Sequence, residues 1–234
     1  MSVRATNRFI LWTAVALWAT APLVGAQTPP SVTDAEKFTP LHRAATAGDP
    51  GRIGKLAADG ADLNARDPHG RTPLMVAAFA RSLPAATALI ETGAKLDLLE
   101  NDRYDALTIS AVIDDPAMVK LLIAKGADTG LVTSRYDGTA LIAAAHLGHV
   151  EVVKALIAGK APLDHVNNLR WTALIEAIVL GDGGPAHVAC VRALVDAGAD
   201  VNLADGEGRS PLALATGRGY AAIIEILKRA GAKP

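Results

Sequence analysis

The sequence has a single cysteine, Cys190, so no disulfide can form within the chain and stability must come from packing, even in an oxidising compartment. It carries almost no excess of either charge, with a formal net charge of -1. Of its 23 lysines and arginines two lie in the first 26 residues, which leaves 21 against 24 acids in the remainder. A nucleic-acid groove needs Lys and Arg gathered on one face, so this balance argues against nucleic-acid partners. Aromatic residues are scarce: after residue 26 only Phe38, Phe79, Tyr104, Tyr136, Trp171 and Tyr220 occur. Recognisable catalytic spacings are missing as well, with no Gly-x-Ser-x-Gly, no phosphate-binding glycine loop and no His-Glu-x-x-His. The histidines include no pair at ligand spacing on one helix, so neither a metal nor a cofactor is expected.

What is present begins with a targeting segment. Arg4 and Arg8 form a basic start, Phe9 to Trp18 an apolar run, and Val24-Gly25-Ala26 a small-x-small site, so residues 1–26 are expected to be a signal peptide cleaved after Ala26. The 18 residues from Phe9 to Ala26 also approach the lower limit of a membrane span, which keeps an uncleaved anchor through residues 9–26 as the alternative. Either way the folded part leaves the cytoplasm, for the periplasm in the first instance and otherwise for the exterior or a membrane-tethered state. Residues 27–33, with Pro29 and Pro30, read as a short extended leader.

Beyond the leader one leucine recurs as Leu41, Leu74, Leu107, Leu141, Leu174 and Leu212, in steps of 33, 33, 34, 33 and 38. Two residues before it stand Thr39, Thr72, Asp105, Thr139, Thr172 and Ser210, whose side-chain oxygens can accept the free N–H groups of a helix start. Pro40, Pro73 and Pro211 follow, harmless in a first turn. Alanine pairs such as Ala44-Ala45, Ala77-Ala78 and Ala144-Ala145 permit close approach of helices. A second helix then shows apolar spacing, as in Val152, Val153, Leu156 and Ile157. Gly60, Gly93, Gly126, Gly198 and Gly231 are placed to stop it in the left-handed conformation. Lys160 breaks this pattern, and Gly159 is expected to take the role one residue early, with an irregular end to that unit. Arg52 and Lys228 put polar side chains where other units are apolar, as terminal caps require. Five additional residues, about Asp182 to Ala186, are expected to lengthen the turn inside the fifth unit.

Thr39-Pro40-Leu41-His42-Arg43-Ala44-Ala45, Thr72-Pro73-Leu74 and Gly148-His149-Val150-Glu151-Val152-Val153, on this period, resemble the ankyrin repeat family from about Asp34 to Ala232. The resemblance implies an all-α solenoid of stacked helix-turn-helix units with projecting hairpin loops. Its repeats would run about 34–66, 67–99, 100–133, 134–166, 167–204 and 205–234, one domain over 34–234. It implies a non-enzymatic module that binds another protein through its concave face and finger loops. Some exported bacterial members resemble this layout and serve in stress protection, so the resemblance leaves such a role among the expectations.

The binding residues implied are Arg71, Arg103, Tyr104, Arg135, Tyr136, Arg170 and Trp171 on the fingers, with Phe79 and His146 on the first helices; Phe38 shares a finger position. Tyr, Trp and Arg anchors are worth about 2 kcal/mol or more each in interfaces. The competing expectation is that the rings pack on adjacent fingers and the arginines pair with Asp102, Asp105 or Asp137. Arg103 and Arg170 also stand where the family uses a turn glycine. His42 and His149 match structural positions, and Cys190 a core one. A monomer is expected, without membrane contact once the signal is removed. Two other functions stay open: a self-associating envelope scaffold, and a hydrolase using His146, Asp182 or His187 beside the inserted loop.

Overall fold

In the computed structural model, which describes residues 29–234, each residue expected to open a first helix does so. The side chains of Thr39, Thr72, Asp105, Thr139, Thr172 and Ser210 each accept the backbone N–H three residues on, satisfying a donor that the helix itself leaves free. The signal-peptide and anchor readings of residues 1–26 lie outside the described residues. Part of the expected leader is helical: Val32–Glu36 (α1) starts at Ser31, which shares a capping box with Asp34.

Six helix pairs follow. They are Pro40–Ala47 (α2) with Pro50–Ala58 (α3), Pro73–Phe79 (α4) with Leu83–Glu91 (α5), and Ala106–Val112 (α6) with Pro116–Ala124 (α7). The other three are Ala140–Leu147 (α8) with Val150–Ala158 (α9), Ala173–Val179 (α10) with Pro185–Asp196 (α11), and Pro211–Arg218 (α12) with Ala221–Arg229 (α13). First helices pack on neighbouring first helices and second on second, which makes an all-α solenoid. Among the described residues the one departure is an isolated bridge between Thr133 and Gly138.

The six phased leucines are all buried, Leu212 being the most exposed at 6%. Burying one such side chain contributes roughly 2 kcal/mol, and the alanine pairs between them let the helices close together. At the ends the apolar pattern is interrupted as a terminal unit needs. Lys228 is exposed where Ile90, Ile123, Ile157 and Val195 pack on the core, and Arg52 is exposed where Met118, Val152 and Ile223 are buried.

Two expectations need correction. Lys160 itself takes the left-handed conformation, φ 62, while Gly159 has an ordinary φ of -78, so the fourth unit ends as regularly as its neighbours. Gly159 is small for another reason: a Cβ there would come within 2.9 Å of two Ile123 side-chain carbons. Because a left-handed conformation strains any side chain, Lys160→Gly is expected to stabilise the fold by about 1 kcal/mol. Urea denaturation checks this, and unchanged or lower stability contradicts it. The second correction concerns the inserted residues, which do not all enter the turn. Helix α11 has 12 residues against 9 in each of the other second helices, so the insertion also extends the helix.

Candidate functional site

Each regular finger is built from one polar head group. Asp67 Oδ1 accepts the N–H groups of His69 and Arg71, at 2.9 and 2.8 Å; the Glu100 carboxylate accepts those of Asp102 and Tyr104, at 2.9 and 3.0 Å. Asn167 and Asp205 do the same for Leu169 and Trp171, and for Glu207 and Arg209. The turn residue is left-handed in all four, at Gly70 (φ 78), Arg103 (φ 67), Arg170 (φ 64) and Gly208 (φ 77). Arginine therefore adopts the glycine geometry and the turn is kept. Fingers also join edge to edge: the N–H groups of Asn101, Ser134 and Asn168 donate to the carbonyls of His69, Arg103 and Tyr136, at 3.0, 2.8 and 3.0 Å. The result is a continuous ledge across units two to five.

The position before the first-helix cap holds Phe38, Arg71, Tyr104, Gly138, Trp171 and Arg209; it is buried at Phe38, Arg71 and Gly138, half-buried at Tyr104 and Trp171, and exposed at Arg209. Phe38, expected on a binding finger, is buried and stacked on His42 with ring centroids 5.2 Å apart. Arg71 must also leave the binding set, being only 4% exposed. Its Nε donates to Asp67 Oδ2 at 2.6 Å and its Nη2 lies 3.1 Å from Asp34 Oδ2 of α1, so two carboxylates draw it inside. The Ser31 N–H and the Arg71 guanidinium hold the Asp34 carboxyl well below the usual carboxylate range. Arg71 thus fastens α1 to the second unit.

Tyr104 and Trp171 are half-buried against the core, and Tyr136 is half-buried on the fourth finger. Arg103 pairs with Asp137 and Arg135 with Asp102, each at 3.2 Å, a reciprocal clasp between the third and fourth fingers. All four side chains are about half exposed or more, so each pair contributes at most about 1 kcal/mol. Asp105 pairs with neither arginine. It caps α6, and burial pushes its carboxyl up to about 6. Arg170 is exposed and makes no ion pair among the described residues; its stem lies over Gly206 of the next finger, where a Cβ would come within 3.1 Å.

On the first helices Phe79, Val112, His146 and Val179 occupy one half-buried column, and beside it Ile113 is half-buried while Leu147 and Leu180 are exposed. Along the column this apolar strip ends at Thr46 and Gly217, both exposed and neither apolar in side chain. The strip and the finger ledge together form the candidate surface.

His187 Nε2 donates to the His146 carbonyl at 2.9 Å and its Nδ1 lies 2.8 Å from Asp182 Oδ1, so both ring nitrogens are engaged. Cys190 is fully buried, and burial pushes its thiol up to about 11.

One residue of this surface is absent from the expected set. Glu176 lies in α10 at the position held by the buried apolar Val76, Ile109 and Leu214 in other first helices, and is itself only 4% exposed. The same position holds an exposed arginine in the first unit, Arg43, and a half-buried alanine in the fourth, Ala143, so the available signal was an acid where three other units bury Val, Ile and Leu. Its Oε1 accepts from Asn167 Nδ2 at 2.9 Å, its Oε2 is buried without a hydrogen-bond partner, and His146 Nδ1 stands 3.6 Å from that oxygen. Burial pushes the Glu176 carboxyl up to about 7; burial, with His187 and His149 nearby, pushes the His146 imidazole below its ordinary value.

The folded state therefore holds a proton that the unfolded chain releases near 4.5. The stability this gives is fully present below that pH and is lost as pH rises through about 7. Glu176→Gln, which cannot ionise, is expected to raise stability at pH 8 by about 2 to 3 kcal/mol and to add nothing at pH 4. Urea titrations at both pH values measure it; an equal gain at the two would refute the assignment.

Comparison with known proteins agrees with this geometry. The family model for ankyrin repeats (3 copies) matches residues 16–102 and 107–205. The ankyrin repeat protein YahD of Escherichia coli (strain K12) is 34% identical over 190 residues, 81% of this chain and 94% of its own length. An ankyrin repeat domain from Acinetobacter baumannii superposes with a TM-score of 0.78 at 43% identity, covering 83% of this chain and 98% of that one. A chain from the complex of a predatory endopeptidase of Bdellovibrio bacteriovorus with an immunity protein has a TM-score of 0.68 at 26% identity, over 82% of this chain and 98% of that one. Phased leucines, capped helix pairs, left-handed stops and bonded fingers are thus the marks of a known architecture, and the chain belongs to the ankyrin repeat family.

Proposed function

We propose that this is an exported module of six ankyrin repeats that holds one protein partner against its finger ledge and first helices. Ankyrin repeat domains are protein interaction modules, and a chain with this fold occurs in the endopeptidase–immunity protein complex. The observation that carries the reading is the ledge bonded across units two to five, which presents Tyr104, Tyr136 and Trp171 and the exposed Arg170 beside an apolar strip. Aromatic rings and arginine on a rigid support lose little freedom when a partner docks. The basic start, apolar run and small-x-small site before residue 27 support export.

Crosslinking and capture from the native compartment test the surface, with wild type beside a Tyr104, Tyr136, Trp171 triple alanine variant. Because Tyr104 and Trp171 also pack on the core, a second variant, Tyr136→Ala with Arg170→Glu, keeps the fold out of the question. Both are expected to lose the partner, the second by at least 100-fold in affinity, or about 3 kcal/mol and more. Unchanged capture by the second variant removes this surface, and sedimentation showing self-association of the mature form would favour the scaffold reading instead.

A further inference from the structure

Nothing in the fold calls for a charge at Glu176. Val76, Ile109 and Leu214 fill the same position in three other units by packing alone, the one other charged residue there, Arg43, is exposed, and a buried carboxylate carries a desolvation penalty that they avoid. The group is half satisfied: Asn167 fixes Oε1, while Oε2 has no hydrogen-bond partner. A buried carboxylate in this condition is destabilising until a cation completes it.

No lysine or arginine among the described residues pairs with Glu176. The nearest basic group, His146, stands 3.6 Å away, beyond hydrogen-bond range, and its side chain is 39% exposed. His187 and His149, behind it, are tied to the carbonyls of His146 and Ala111 and do not compete. His146 is therefore a partly solvated cover over the carboxylate rather than its counter-charge. On the same face Leu147, one residue beyond His146, and Leu180, at the end of α10, expose apolar side chains.

We infer that Glu176 is a receptor for a cationic side chain of the bound protein, an arginine or lysine flanked by apolar residues, which turns His146 aside and seats its neighbours on Leu147 and Leu180. The inference rests on the protein-binding reading above and adds the chemistry that the partner must bring. Guanidinium suits the site better than ammonium, because its planar fork can bond Oε2 and still reach the second acceptor site of Oε1.

The full chain is titrated with acetyl-Leu-Arg-Leu-amide and with the same peptide carrying citrulline, which keeps the shape and removes the charge. The arginine peptide is expected to bind at least tenfold more tightly to wild type, and Glu176→Gln to level the two affinities. That variant is expected to melt no lower than wild type at pH 8, so levelling cannot be a folding defect. Equal binding by wild type, no binding of the arginine peptide, or a preference that survives Glu176→Gln overturns the inference. The readout needs no native partner. Capture that still depends on Tyr136 and Arg170, combined with no arginine preference, removes the receptor and leaves the finger surface; the reverse combination supports the receptor and removes the fingers.

Discussion

Leu141→Ala is expected to lower stability by about 3 to 4 kcal/mol, a large share of what a domain of this size has. Leu141 is fully buried in α8 and has first helices on both sides, α6 and α10. Truncation removes its transfer free energy and leaves a cavity that a close-packed interior fills only in part. In a stack whose units touch only their neighbours, one central gap weakens two interfaces. Leu212 provides the comparison. It sits in the last unit, where α12 packs on α10 alone among the first helices, and is 6% exposed. Leu212→Ala is expected to lose only about 2 kcal/mol. Urea melts of both decide the matter, and a larger loss in the terminal variant would contradict the shared spine.

Arg71→Ala is expected to cost about 3 to 5 kcal/mol, because it leaves a buried acid without its counter-charge. The Asp67 side chain is fully buried, and its Oδ2 bonds Arg71 Nε at 2.6 Å. The same change releases Asp34 and with it α1 from the second finger. Arg71→Lys is not expected to rescue, since one ammonium cannot bond both carboxylates in the geometry a guanidinium spans. A double-mutant cycle with Asp67→Asn should show coupling of about 1 to 3 kcal/mol. A loss under about 1 kcal/mol, or additive behaviour, would place Arg71 outside the network.

Much of the fold was legible because each unit repeats a local rule. The six capping residues, the buried leucines and the polar ends at Arg52 and Lys228 follow from spacing and side-chain chemistry within one unit. What escaped depends on contacts between units, which a period cannot display. Gly159 answers to Ile123 in the preceding unit. Arg71 is drawn inside by Asp34 as well as by its own finger. The arginines of the third and fourth fingers choose Asp137 and Asp102 across the gap and leave Asp105 to its cap. The candidate surface was legible as a set of positions on fingers and first helices, but not in its depth: Phe38 and Arg71 share a position with Tyr104 and Trp171 and are fully inside. Glu176 was readable only by comparing one column through all units.

The lone thiol has a practical consequence. Cys190 lies on the inner side of α11, fully buried, with its ionisation suppressed by that burial. An alkylating reagent can react with it only when the packing around α11 opens, so labelling kinetics report local opening of the fifth unit and the neighbours that cover it. The natural protein therefore carries its own single-site probe, directly behind the helix that bears Glu176, and occupancy of that face can be followed as slowed labelling without any engineered tag.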